Sequence, residues 1–224
     1  RDVAPSRGLG DVYKRQVRVI ADEIHCELVM PGYEYTPFAS LSDETSAITV
    51  TLNSPSKSFN TAGLMQSNVI CSDIEMRRRI DRVINIFEVC EVNPFGPDAL
   101  VAAYNESEEW LDELNRYLYD NYLELKRFSA EYMPKIEVLK LEGTYLVWVD
   151  ISALEFTSDE LEAKLRDEGK VYLNSGTMYG RRAGQGYMRI NIACPRSRMI
   201  DGLTRMAKVI APCMEDDCDM GCPS

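Results

Sequence analysis

Asp22 and Lys57, 35 residues apart, are the two side chains whose types and settings could do chemistry together. Asp22 closes a short apolar run in VRVIADEIH, and Lys57 lies just past a second, β-branched run in TLNSPSKSFN. In open α/β sheets ligands gather at the carboxyl ends of the strands, where both residues would fall. A carboxylate beside a pyridine nitrogen favours the protonated ring and makes it a stronger electron sink, while a lysine amine forms a Schiff base with an aldehyde. The pair therefore suits pyridoxal 5'-phosphate. Ser54 and Ser56, on either side of Pro55, could give hydroxyls to a phosphate; the same residues also suit a plain turn. His25, the only histidine, is three residues past Asp22 and could touch the cofactor or orient the aspartate. Taken singly, Asp22 reads equally as a turn aspartate, Lys57 as a solvated surface charge and His25 as a structural histidine. Further on, YMRINIACPRS carries Arg189 on an apolar strand. A guanidinium grips a carboxylate through two parallel hydrogen bonds, and an inward arginine needs an anionic partner. Arg181, Arg182 and Arg196 compete for that role.

The elements that must hold these residues follow from periodicity. Residues 17–21 and 48–53 read as parallel strands of a central sheet, with a loop containing Pro31, Gly32 and Pro37 between them. Residues 68–71 are a third strand. Ser72 and Glu75 have capping-box spacing, which predicts a helix through about Asn85. Pro94, Gly96 and Pro97 break the chain, and a long helical stretch over 98–132 follows, interrupted near Ser107, with Leu111, Leu114, Leu118 and Leu125 on one stripe. Pro134 stops it. Beyond it, 145–149 is a strand, Thr157 and Glu160 open a helix that Gly169 should end, 171–174 and 187–193 are strands, and Ile200, Leu203, Ala207 and Ile210 mark a last helix.

Composition narrows the class. Hydrophobic residues make up 45% of the 224, so a packed core is expected rather than disorder. A formal charge of −11 argues against a nucleic-acid partner. No apolar run approaches a membrane span and no signal peptide opens the chain, so a cytoplasmic protein without a membrane partner is expected. Of the seven cysteines, Cys26, Cys71, Cys90 and Cys194 sit in apolar segments and read as reduced core thiols. Cys213, Cys218 and Cys222 crowd an acidic end whose spacing matches no standard zinc pattern, so no metal site is expected and residues 212–224 read as a tail. Residues 1–16 carry four basic side chains against two acids and show no period, leaving 17–224 at −13. Their DVYKRQ resembles translated adapter read-through, and they are expected to be a non-native tail.

Together ADEIHCELV, TPFASL, SPSKSFNTAGL, EEWLDEL, LNSGTMYG and MRINIACPRS resemble the class I/II aminotransferase-type pyridoxal phosphate enzymes of fold type I, and within them the cystathionine β-lyase, or C–S lyase, branch. The resemblance covers about residues 17–208. It implies an α/β fold: the C-terminal part of a three-layer α/β/α large domain over 17–105, then a long helix and a smaller α+β domain over 106–211. It implies Asp22 at the pyridine nitrogen, Lys57 as the Schiff-base lysine and Arg189 at the substrate carboxylate. His25 stands where many aminotransferases place a tyrosine, and Met65 where many carry a phosphate-binding arginine; both departures favour the lyase branch. The implied activity is β-elimination from a sulfur amino acid such as cystathionine, in a homodimer, with an aminotransferase as the alternative. Complete members also have a long N-terminal portion bearing a glycine-containing phosphate loop, an aromatic that stacks on the ring and an asparagine near the ring hydroxyl. None of these is assignable here, so the 224-residue chain reads as a C-terminal fragment without activity alone.

Overall fold

Two short runs rich in β-branched residues build the sheet beside Lys57. The structure, a computed structural model that describes residues 17–214, pairs β1 (Val19–Asp22) parallel with β2 (Thr49–Asn53), setting Asp22 opposite Leu52. The amide of Glu23 donates to the Leu52 carbonyl at 2.9 Å, so the ladder runs one residue past Asp22. The third strand, β3 (Asn68–Ile70), runs antiparallel to β2.

The connection between β1 and β2 holds more order than a loop. Residues Phe38–Ser40 form a helical turn and Asp43–Ile48 form a helix, α1, so Ile48 closes a helix rather than opening the strand. Its start is a capping box that the sequence reading overlooked: Thr45 N donates to Ser42 Oγ at 3.2 Å, and Ser42 N donates to Thr45 Oγ1 at 2.9 Å. A helix of six residues is too short to display an apolar period. The box expected at Ser72 and Glu75 does not form. Helix α2 (Ile74–Ile86) starts from Asp73, whose carboxylate accepts from Met76 N at 2.9 Å, and Glu75 pairs instead with Arg79 one turn on. Ser72 turns its hydroxyl to the Ser46 carbonyl. The long helical stretch is two helices, α3 (Gly96–Glu106) and α4 (Glu108–Tyr132), with the break at Ser107.

The chain divides into two compact units within α4, between Glu113 and Leu114. The first holds β1–β3 and α1–α3. The second holds a four-stranded antiparallel sheet of β4 (Glu137–Val138), β5 (Leu146–Asp150), β7 (Tyr187–Asn191) and β6 (Asn174–Ser175), in that spatial order, with α5 (Ser158–Lys164) and α6 (Arg196–Ile210). Its core is formed by Val147, Val149, Met188 and Ile190 of the sheet, Leu118, Leu125 and Phe128 of α4, and Met199, Leu203, Met206 and Ile210 of α6. Burying each such side chain contributes about 1.5–3 kcal/mol before entropy is counted. Buried Asn121 ties α4 to the end of β7, donating to the carbonyls of Ile192 at 3.0 Å and Cys194 at 3.1 Å.

The capping box at Thr157 and Glu160 forms as the spacing predicts, with both reciprocal bonds present. Gly169 is the last residue of the wide turn that continues α5, but the left-handed residue is Lys170, with φ 52°. Gly169 is there for packing: a Cβ would stand 3.2 Å from Val209 Cγ2. Only Asn174–Ser175 of the expected 171–174 strand joins the sheet, because Val171 N donates back to Leu165 O at 3.0 Å and closes the helix end. Of the four expected core thiols, Cys71 is buried and Cys26 and Cys194 are half-buried, but Cys90 is exposed beyond α2. The other three cysteine side chains and residues 1–16 lie outside the described residues. Among the described residues no helix is long and apolar enough to cross a membrane.

One contact in the second unit yields a sharp prediction. Gly184 packs backbone to backbone on Gly176, and a Cβ at Gly184 would overlap the Gly176 carbonyl. No side chain can swing away to relieve that clash. Gly184→Ala is therefore expected to destabilise the chain by about 3 kcal/mol or more, the upper end of overpacking effects. The urea midpoint of the variant measures it, and an unchanged midpoint would show that the 176–186 loop shifts freely.

Candidate active site

Asp22 and Lys57 come from neighbouring parallel strands. Asp22 is the last residue of β1, its backbone in register with Leu52, and Lys57 follows the end of β2 by four residues. Both side chains are exposed. Lys57 sits on a turn closed by Phe59 N donating to Pro55 O at 2.9 Å, and makes no hydrogen bond or ion pair among the described residues.

Ser54 is buried at the root of this turn. Its hydroxyl donates to Gln66 O at 2.6 Å, and its oxygen accepts from Ser56 N at 3.1 Å. The two serine hydroxyls stand 2.6 Å apart. Since the one proton of Ser54 goes to the Gln66 carbonyl, Ser56 must donate to Ser54 in this arrangement. Ser54, its proton committed, is thus the brace, and half-buried Ser56 would have to turn its hydroxyl from Ser54 to serve an outside ligand. Met65 is 84% exposed with φ 51°.

The segment after Asp22 turns sharply, with Cys26 N donating to Glu23 O and Leu28 N to His25 O, each at 3.0 Å. His25 is half-buried on that turn. Glu23 Oε1 accepts from Phe38 N at 2.9 Å and so pins the TPFASL stretch beside it. Burial, followed by contact with Glu23, pushes the Tyr35 phenol up. Cys26 is a poor nucleophile here: burial, then the Glu27 carboxylate, raises its thiol to about 12.

A side-chain network that local spacing does not reveal lies behind the Lys57 turn. Tyr104 on α3 donates to Asn53 Oδ1 at 2.7 Å, and Asn53 Nδ2 reaches Cys26 Sγ at 3.1 Å. Ser58 Oγ donates to Glu27 Oε2 at 2.5 Å. The one signal the sequence offered was a polar residue, Asn53, ending the strand that delivers Lys57.

Arg189 belongs to the second unit and is half-buried on β7. It lies opposite Trp148 of β5 and Asn174 of β6, on the face away from buried Met188 and Ile190. No protein carboxylate pairs with it among the described residues. Its guanidinium lies 4.4 Å from the centre of the Tyr179 ring, a cation–π contact. Asn174 Nδ2 donates to Tyr179 OH at 2.8 Å, and Trp148 meets Tyr179 edge-on at 5.3 Å. Of its competitors, Arg196 is already engaged, its Nε donating to Asn121 Oδ1 at 3.2 Å, and Arg181 and Arg182 are exposed.

The family model for class I and II aminotransferases matches residues 3–205, and the chain belongs to that family. It is 38% identical over 195 residues to cystathionine beta-lyase PatB of Bacillus subtilis, covering 87% of this chain and 50% of that protein. With cystathionine beta-lyase of Corynebacterium glutamicum it shares 33% identity, over 88% of this chain and 52% of the relative. Among solved structures, cystalysin of Treponema denticola, which contains a pyridoxal 5'-phosphate cofactor, superposes with a TM-score of 0.88 at 31% identity, over 92% of this chain and 52% of that one. The chain spans about half the length of the curated relatives it matches. The mixed α/β fold is that of the aminotransferase-like, fold type I proteins.

Proposed function

We propose that the protein is a pyridoxal phosphate-dependent carbon–sulfur lyase, acting on cystathionine or a related sulfur amino acid to give a thiol, pyruvate and ammonia. The observation that carries this reading is the exit of Asp22 and Lys57 from the same end of two paired parallel strands. The donor set fits the cofactor group by group: a carboxylate for the ring nitrogen, a primary amine for the aldehyde, and the Ser56 hydroxyl, with Ser54 bracing it, for the phosphate. When bound, the cofactor supplies an electron sink for the charge left on the substrate's α-carbon. Asp22 would keep a proton on the ring nitrogen. Lys57 would hold the cofactor through its aldehyde and, as a free amine, would take the substrate's α-proton as general base. His25 would stand near the ring. Arg189, held against Tyr179, would offer two parallel donors to the substrate carboxylate. The thiolate then leaves the β-carbon, and hydrolysis of the three-carbon remainder gives pyruvate and ammonia.

In this reading the first unit is part of the large cofactor-binding domain and the second is the small α+β domain, with the whole protein a cytoplasmic homodimer. His25 and Met65, where many aminotransferases carry a tyrosine and an arginine, favour the lyase. The second reading is an aminotransferase, favoured by the family itself, in which the same lysine returns the proton to the cofactor rather than letting a thiolate go. Product analysis separates them. The protein at its relatives' length, given cystathionine and no keto acid, is expected to release thiol and pyruvate in equal amounts; a strict need for a keto-acid acceptor would sink the lyase.

A further inference from the structure

Glu27 lies five residues past Asp22, in the segment that follows β1, and accepts the hydrogen bond from Ser58, the fully buried residue next to Lys57. The same carboxylate bears on the Cys26 thiol and the Tyr104 phenol, adding to the effect of burial on both. Phe59, the next residue, packs edge-on against Tyr104 at 5.6 Å and stacks on Trp110 at 5.9 Å. The turn bearing Lys57 is therefore anchored twice, by Ser58 to the Asp22 segment and by Phe59 to the helices, while the lysine itself stays exposed. We propose that Glu27 is a positioning residue that, through Ser58, fixes the Lys57 amine relative to Asp22. This rests on reading Asp22 and Lys57 as the cofactor site.

The chemistry explains why an acid stands there. A carboxylate is acceptor-only and has two oxygens, so it can take the Ser58 proton and the neighbouring thiol proton together; an amide offers one oxygen. Lysine has a long flexible stem, so a fixed turn backbone is the main control on where its amine goes. A misplacement of about 1 Å at a reacting group can cost on the order of 100-fold.

The test uses the protein at its relatives' length, pyridoxal phosphate and borohydride, with the modified lysines identified by peptide mass. Glu27→Ala and Ser58→Ala are expected to slow labelling of Lys57 by about tenfold or more while leaving Lys126 and Lys208 unchanged. Ser58→Thr, which keeps the hydroxyl, should restore the rate. Glu27→Gln, which keeps the volume and so the fold, should fall between. Unchanged Lys57 labelling in both alanine variants would overturn the proposal. Hydrogen exchange at the Phe59 amide gives a readout independent of the cofactor: loss of protection in Glu27→Gln and Ser58→Ala supports the brace, and full protection overturns it. If Lys57 of the unaltered chain labels no faster than Lys126, the cofactor reading is what fails, and exchange alone decides the role of Glu27.

Discussion

Replacing Lys57 with alanine is expected to lower thiol release from cystathionine by about 10³-fold or more, since a positioned general base alone contributes on the order of 10²–10⁴ and the variant also loses the amine that holds the cofactor. The same change should barely touch stability. Lys57 is exposed and makes no hydrogen bond or ion pair among the described residues, and substitutions at such positions usually stay within about 0.5 kcal/mol. The turn beneath it is kept by Ser54, Ser58 and Phe59 rather than by the lysine. A matched pair of measurements, turnover and thermal melting on the protein at its relatives' length, therefore separates chemistry from folding. Lys57→Arg is the stricter control. It keeps the positive charge, but a guanidinium is never neutral in a protein and cannot act as the amine base. Both variants should be equally inactive and lack the visible absorbance of lysine-bound cofactor. If either kept a tenth of the activity, the base would have to be sought elsewhere.

The site was legible where its chemistry is local. A β-branched run ending in a polar residue places a strand end, and two such runs form neighbouring parallel strands, with Asp22 ending one and Lys57 four residues past the other. The capping box at Thr157 and the break at Ser107 were legible for the same reason: each is decided within four residues. What was not legible depends on partners far along the chain. Ser58 and Glu27 are 31 residues apart, and Tyr104 and Asn53 are 51 apart; neither pair has a spacing that marks it. Ser72 and Glu75 have the right spacing for a box and do not form one, because Asp73 competes for the same amides and wins. The surroundings of Arg189 were not legible either, because alternation gives two faces without saying what packs on each. Tyr179 is the residue that resolves it, and it reaches Arg189 across the sheet from ten positions upstream.

Asp22→Asn tests the other half of the pair. Its backbone is held by the ladder to Leu52, so the isosteric swap leaves the strand in place and removes only the charge. A carboxylate within about 4–6 Å of a protonated ring shifts its proton equilibrium by roughly 1–3 units. At about 1.4 kcal/mol per unit, turnover is expected to fall by roughly 10- to 1,000-fold. The sign is fixed by electrostatics. The carboxylate raises the affinity of the ring nitrogen for its proton, so without it the ring loses that proton at lower pH. Activity of Asp22→Asn should therefore recover in part as the pH is lowered, while Lys57→Ala recovers nothing. Asp22→Glu keeps the charge one methylene further out and should retain a profile close to the original. Cofactor attachment through Lys57 should survive in Asp22→Asn, so its visible absorbance persists with a shifted pH dependence. A variant with unchanged rate and unchanged pH profile would remove Asp22 from the ring nitrogen and leave Lys57 as the only anchored part of the site.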